Sequence, residues 1–295
     1  MSDPVGDPIV VGTDGSAGAI GAVEWAAGHA GLRGVPLRVV HAADRLPYDG
    51  PRYPIPDCYD RLTPSGGQIL DCAERVARDR WPGLEVTTEL VEGRPGRVLR
   101  DQAAHAAEVV LGSHGAHGFP GMLLGSVGNH VAGHVGVPVV VVRPTPAEAM
   151  PEIVVGFDCS ESSAPALAYA FEEARLRGYR LRIVCAWEPP VPYGAAMNLD
   201  EMRQAAEDYA RGGLRPWRGG YADVKTELEV VRAHPVTALV EASSRAALLV
   251  VGSYGRNALT AAVLGSVSRS LLGHAHCPVA VVRRTRPRGG EPVVS

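Results

Sequence analysis

The sequence predicts an α/β protein made of two tandem doubly wound domains, each a five-stranded parallel sheet with helices on both faces. Three observations predict it. The chain of 295 residues is long for one domain at roughly 150 residues each. It is written twice: PIVVGTDGS at 8–16 returns as EIVVGFDCS at 152–160, and LRVVHA at 37–42 as LRIVCA at 181–186, both offset by 144 residues. Finally, short apolar runs alternate with helix-like stretches through both copies.

Taken in order, the first copy reads IVVG, LRVVHA, EVTTELVEG, EVVLG and VPVVVV as strands. Runs that are apolar throughout belong to strands covered on both faces, as in a parallel sheet between helices. Between them AGAIGAVEWAAGHAG, ILDCAERVARDRW, PGRVLRDQAAHA and the segment opening at Ser126 read as helices. In the second copy LVVGSYG (249–255) answers VVLGSHG (109–115), VLGSVSRSL (263–271) answers LLGSVGNHV (123–131), and CPVAVV (277–282) answers VPVVVV (137–142), now offset by 140. The four-residue difference falls between the second and third strands, where the first copy has the longer loop. The domains are therefore expected at 1–145 and 150–287, joined by the proline-rich RPTPAEAMP.

Composition narrows the function. Hydrophobic residues are 46% and charged residues 21%, enough apolar surface for real cores. A net charge of −3 provides no basic field to hold nucleic acid. Only one of the 29 basic residues is a lysine, Lys225, a skew that fits genome composition better than any partner. No run approaches the ~20 apolar residues of a membrane span, and the opening residues carry no secretory signal. Five cysteines (Cys58, Cys72, Cys159, Cys185, Cys277) without a C-x-x-C pair read as free thiols. A cytoplasmic protein is expected.

In an open α/β sheet, ligands bind beyond the carboxyl ends of the strands where strand order reverses. There the first copy places Gly112, two residues, Gly115, nine residues, then Gly125-Ser126; the second repeats the spacing at Gly252, Gly255 and Gly265-Ser266. Glycines leaving a strand allow close backbone approach, and a helix opening at Gly-Ser offers free N–H groups and a positive dipole end to phosphate. One such loop could be only a tight turn. The same spacing twice, around different residues (AHGFPGMLL against RNALTAAVL), points to nucleotide binding. After the first strand each copy has an aspartate, Asp14 and Asp158, which suits a ribose hydroxyl better than a phosphate.

These residues resemble the universal stress protein family in its tandem form, across nearly the whole chain: VVGTDGS and VVGFDCS, VVHA, GSHG and GSYG, and GSV ahead of the PV-rich final strands. The resemblance implies strand order 3-2-1-4-5 and one ATP per domain, with or without Mg. It implies that Gly12, Thr13 and Ala42 border the adenine, that Asp14 faces the nucleoside, and that Gly112, Gly115, Gly125, Ser126 and Val127 line the phosphates. The matching set is Gly156, Phe157, Ala186, Asp158, Gly252, Gly255, Gly265, Ser266 and Val267. It implies a nucleotide-dependent stress regulator, not an enzyme, with pairing through the final strands either within the chain or as a homodimer, and a protein partner the sequence does not name. The alternatives are a slow ATPase or adenine-nucleotide hydrolase, and a binder of another adenine ligand such as cyclic AMP.

Departures from the family pattern are expected to make the sites unequal. Ser268 has Gly128 as its counterpart, removing one phosphate hydroxyl from the first site; Gly93 faces Ala233; and Phe157, in place of Thr13, is expected to crowd or stack on the base. No G-x-x-x-x-G-K-S/T occurs, so a P-loop ATPase is excluded. His114, His117, His130 and His134 fit a decorated loop and helix surface better than a metal site, and Arg256 suits solvent as well as a phosphate. The segment 44–67 is proline- and tyrosine-rich and could cover the first site or contact a partner. The tail RRTRPRGGEPVVS is expected to be flexible.

Overall fold

The computed structural model describes residues 6–44, 65–115, 125–146, 148–189, 198–255 and 264–283. Most of the 44–67 segment, His117, Arg256 and the tail beyond Arg283 lie outside the described residues.

The first half runs β1 (Ile9–Gly12), α1 (Ala17–Arg33), β2 (Leu37–Ala43), α2 (Gly66–Arg80), β3 (Val86–Glu92), α3 (Pro95–Gln102), β4 (Glu108–Gly112), α4 (Ser126–His134) and β5 (Val139–Val142). The second repeats it as β6 (Glu152–Gly156), α5 (Ala164–Arg177), β7 (Arg180–Trp187), α6 (Leu199–Gly220), β8 (Thr226–Arg232), α7 (Pro235–Ser243), β9 (Leu248–Gly252), α8 (Ser266–His274) and β10 (Val279–Val282). Local chemistry sets the boundaries. Ser16 accepts a hydrogen bond from the Ala19 N–H and starts α1, while Gly34, at φ 65°, ends it in the left-handed region. A reciprocal Ser65–Gln68 capping box starts α2, and Pro95 and Pro235 open α3 and α7, where a missing N–H costs nothing.

The ten strands form one sheet in the order β3-β2-β1-β4-β5-β10-β9-β6-β7-β8. Each half thus has the expected 3-2-1-4-5 order, and every pair inside a half is parallel. At the centre β5 and β10 run antiparallel, with Val140 opposite Ala280. The final strands pair with each other within the chain, so neither remains as a sheet edge. Two cores result, and both cross this seam. One, under α1, α2, α5 and α6, joins Ile9, Val23 and Leu70 to Ile153, Phe171 and Leu214. The other, under α3, α4, α7 and α8, joins Val10, Leu99 and Val131 to Val154, Leu239 and Leu271.

The seam also buries charge. α1 and α5 meet there through repeat-related residues. His29 Nδ1 donates to Glu108 Oε1 at 3.0 Å, and its Nε2 lies 2.9 Å from Glu173 Oε1. The imidazole and the Glu173 carboxyl are fully buried. Tyr169 donates its hydroxyl to Glu108 Oε2 at 2.7 Å. Arg33 and Arg177 reach Glu173 at 2.7 and 3.0 Å. Each arginine also lies over an aromatic ring of the opposite half, Arg33 over Tyr169 and Arg177 over Trp25.

Candidate functional site

The site of the first half lies at the carboxyl ends of β1 and β4. As the chain leaves β1, the Thr13 N–H donates to the Val40 carbonyl at 2.9 Å, and His41 Nδ1 donates to the Thr13 carbonyl at 2.8 Å. Asp14 Oδ1 accepts from the Ser16 N–H at 3.0 Å, which holds the carboxylate at the mouth of α1. The turn between them needs Gly15, whose φ is 77°. Ala42 lies partly buried at the end of β2 against the second core.

From β4 the glycine turn runs up against this loop. A Cβ on Gly112 would stand 2.7 Å from the Gly18 carbonyl oxygen, so the strand end is pressed onto the first turn of α1. A Cβ on Gly115 would fall 2.5 Å from Asp14 Oδ2, so the turn passes directly over the carboxylate. The Gly125 N–H then donates to the Ser113 carbonyl at 3.0 Å, closing the loop on itself. Gly112, Gly115, Gly125 and Asp14 are thereby brought together, and α4 opens at Ser126 without any side-chain cap. Its first-turn N–H groups are the orphan donors of a helix start, at the positive end of its dipole. Ser126 is exposed, whereas the Val127 side chain packs on the core and leaves its backbone to the site.

Gly12 is also constrained by packing. A Cβ there would meet Leu111 and Leu99 at 2.9 Å, so its smallness serves the packing of α3 on the sheet. Gly112 shares this structural burden. Gly112→Ala is expected to destabilise the fold by about 1–3 kcal/mol, read as a lower urea midpoint with an unchanged slope, because the obstacle is backbone and cannot rotate away.

The second half builds the same arrangement with changes. Asp158 Oδ1 accepts from the Ser160 N–H at 3.0 Å and also from its hydroxyl at 2.6 Å. Cys159 holds the left-handed φ of 61° that Gly15 takes in the first half. A Cβ on Gly255 would lie 3.6 Å from Asp158 Oδ2, a looser approach than at Gly115. The Gly265 N–H donates to the Ser253 carbonyl at 2.9 Å, and α8 opens at Ser266 uncapped. Gly156 packs against Leu239 as Gly12 does against Leu99. Ala186 and Val267 lie on the second core like Ala42 and Val127.

Two expectations about side chains change. Phe157 is 6% exposed and belongs to the core; its ring meets α6, where a Cβ on Gly213 would lie 3.0 Å from it. It is not placed to crowd or stack on a base, because the strand's alternation turns it inward, and only its backbone faces the site. Ser268 is buried and donates its hydroxyl to the Gly252 carbonyl at 2.7 Å, so that hydroxyl ties α8 to the end of β9. Gly93 takes a φ of 142° that Ala233 does not share.

Among the histidines, His114 Nδ1 pairs with the Ser113 hydroxyl at 3.1 Å and His130 stacks on His134. Among the described residues no group of three or more metal-ligating side chains converges, and no helix is long and apolar enough to cross a membrane. Sequence reasoning missed the His29–Glu108–Glu173 cluster. Its signal was present: a histidine on the alanine-rich buried face of α1 stands 144 residues from a glutamate on the buried face of α5, the period of the repeat.

A glycine turn pressed over an aspartate, facing an uncapped Gly-Ser helix start, and built twice on one continuous sheet, defines a tandem doubly wound α/β protein with paired glycine loops. The chain belongs to the universal stress protein family, whose sequence model matches residues 7–143 and again 150–283. A universal stress protein of Mycobacterium tuberculosis is 35% identical over 288 residues, covering 94% of this chain and 97% of its own. One from Mycolicibacterium smegmatis is 32% identical over 290 residues, covering 93% and 96%. The crystal structure of a universal stress protein from Archaeoglobus fulgidus shares the fold at a TM-score of 0.65 and 20% identity, across 94% of this chain and 98% of that one.

Proposed function

We propose that the protein binds ATP, one molecule in each half, and acts as a nucleotide-dependent regulator of a stress response in the cytoplasm with little or no turnover. The observation that carries this reading is the close pass of Gly115 over Asp14, with a Cβ there falling 2.5 Å from the carboxylate, opposite the uncapped start of α4. Glycines at the strand exit and a helix start with orphan N–H groups suit a polyphosphate. Asp14, oriented by the Ser16 N–H, is the acceptor for a ribose hydroxyl. Asp158 accepts from both the N–H and the hydroxyl of Ser160, and a Cβ on Gly255 would lie 3.6 Å from it against 2.5 Å for Gly115 and Asp14; these differences support unequal affinities. The nucleotide fixes the loops, and a protein partner reads the resulting surface. Homodimerisation, if added to this arrangement, uses a surface other than β5 and β10, whose pairing is complete within the chain.

The test is to purify the protein without added nucleotide, denature it and quantify the released small molecules by chromatography and mass spectrometry. Close to two ATP per chain is the expected result. Mostly ADP would favour slow hydrolysis, and displacement of ATP by equimolar cyclic AMP would favour a monophosphate site. Nothing released, together with no ATP uptake on titration, would overturn the nucleotide reading.

A further inference from the structure

Two repeat-related arginines cross the seam in opposite directions. Arg143 follows β5 in the first half. Its Nη1 donates to the carbonyls of Gly273, at 3.3 Å, and Ala275, and its Nη2 donates to that of Leu272. These are carbonyls of the last turn of α8 and of its C-cap residue in the second half. Arg283 follows β10, and its Nη2 donates at 2.8 Å to the Gly133 carbonyl in the last turn of α4. Its guanidinium also sits 5.0 Å over the ring of Tyr254, in the glycine turn of its own half.

Neither guanidinium has a carboxylate partner among the described residues. Each leaves a buried Nε without a hydrogen bond. Their counter-charge is therefore the negative end of a helix, where a cation satisfies the orphan carbonyls and the dipole together. The two helices so capped are α4 and α8, whose other ends are the uncapped starts at Gly125 and Gly265. A helix of nine residues is only about 13 Å long and moves as a rod. Holding its C-terminus fixes where its N–H groups stand at the other end.

We infer that each half of the chain completes the ligand site of the other: Arg143 positions the phosphate-facing helix of the second half, and Arg283 that of the first. This rests on the nucleotide reading above. The two crossings are unequal. Arg143 holds three carbonyls, whereas Arg283 holds one and shares itself with Tyr254, so the second site depends more on the first half than the reverse. The contact with Tyr254 also lets a change in the second loop reach the end of α4 through a single side chain.

A crossed effect separates positioning from simple reinforcement of the seam. The experiment is amide hydrogen exchange on the full chain, titrated with ATP and read separately in peptides covering 125–128 and 265–268. In Arg143→Met the ATP concentration giving half-maximal protection at 265–268 is expected to rise roughly tenfold, the scale of one or two charge-assisted hydrogen bonds. At 125–128 the shift stays below about threefold on the same scale. Arg143→Lys, which keeps the charge but loses the fork, recovers part of the loss. Arg283→Met reverses the preference, weakening 125–128 more than 265–268. Equal weakening of both peptides in Arg143→Met, or none, would overturn the inference while leaving the nucleotide reading intact. If Arg143→Met does not fold, judged by circular dichroism, the lysine variant carries the same comparison with a smaller shift. No ATP-dependent protection in the unaltered protein would remove the nucleotide reading, and this inference with it.

Discussion

Glu173→Ala is expected to lower the unfolding free energy by about 3–5 kcal/mol, the loss typical of taking one partner from a buried ionic cluster. The carboxylate is fully buried and receives His29, Arg33 and Arg177. Without it, a buried imidazole and two arginines face one another across the seam with only Glu108 to compensate. Chemical denaturation of the full chain reads the effect. A loss below about 1 kcal/mol, the ceiling for exposed pairs, would show that water reaches the cluster.

The same cluster makes stability depend on pH in two directions. Burial works against charging His29, but the charges and hydrogen bonds of Glu108 and Glu173 outweigh it and raise the imidazole above its ordinary 6.5. A raised folded-state value gives stability that is complete below 6.5 and is lost as pH rises through the raised value. Burial likewise opposes ionisation of Glu173, yet the His29 hydrogen bond and charge, then Arg177 and Arg33, hold it well below the usual 4.5. Its contribution is complete above 4.5 and is lost as pH falls through the depressed value. The seam is therefore strongest between those two ordinary values, 4.5 and 6.5. Unfolding midpoints should decline on both sides of that window, with the alkaline decline absent in His29→Leu. The decline at high pH is softened because Arg33 Nε stands 2.9 Å from His29 Nε2 and donates to it once that nitrogen loses its proton.

Gly115→Val is expected to weaken ATP binding in the first half by roughly a hundredfold, since the loss of a positioned backbone contact compounds with displacement of the whole turn. Its Cβ would fall 2.5 Å from Asp14 Oδ2, and neither the turn nor the aspartate can hold its place. The second half is untouched, so the stoichiometry measured by calorimetry drops from two to one. Overall stability should fall by about 1 kcal/mol or less, because Gly115 is exposed and the atom its Cβ meets is the end of an aspartate side chain. Retention of both sites at their unaltered affinities would show that the turn does not contact the nucleotide.

How much of this was legible in the chain differs between the two halves of the problem. The strands, the repeat and the glycine spacing could be read directly, because each rests on short stretches: apolar runs of four to seven residues for strands covered on both faces, and glycine where backbone must approach closely; the strand order came only with the family resemblance. The convergence of Gly112, Gly115, Gly125 and Asp14 followed from topology, since the carboxyl ends of adjacent parallel strands must open on the same side. Side-chain direction was less accessible. Phe157 and Ser268 carry the right chemistry at the right spacing, but the pleat of β6 and the packing of α8 turn both inward.

Two copies of one α/β domain, each with a glycine loop and an aspartate at its carboxyl edge, are already written in the order of the residues. That VPVVVV and CPVAVV pair with each other within one chain is visible in the folded molecule alone, because two equally apolar edges carry no local mark of which partner they take. The fold alone gave meaning to His29, Glu173, Arg143 and Arg283. A histidine on a helix face or an arginine after a strand is defined by what stands opposite. Here that partner lies 129 to 150 residues away, from Arg143 to Leu272 and from Arg283 to Gly133, a separation no local periodicity can encode.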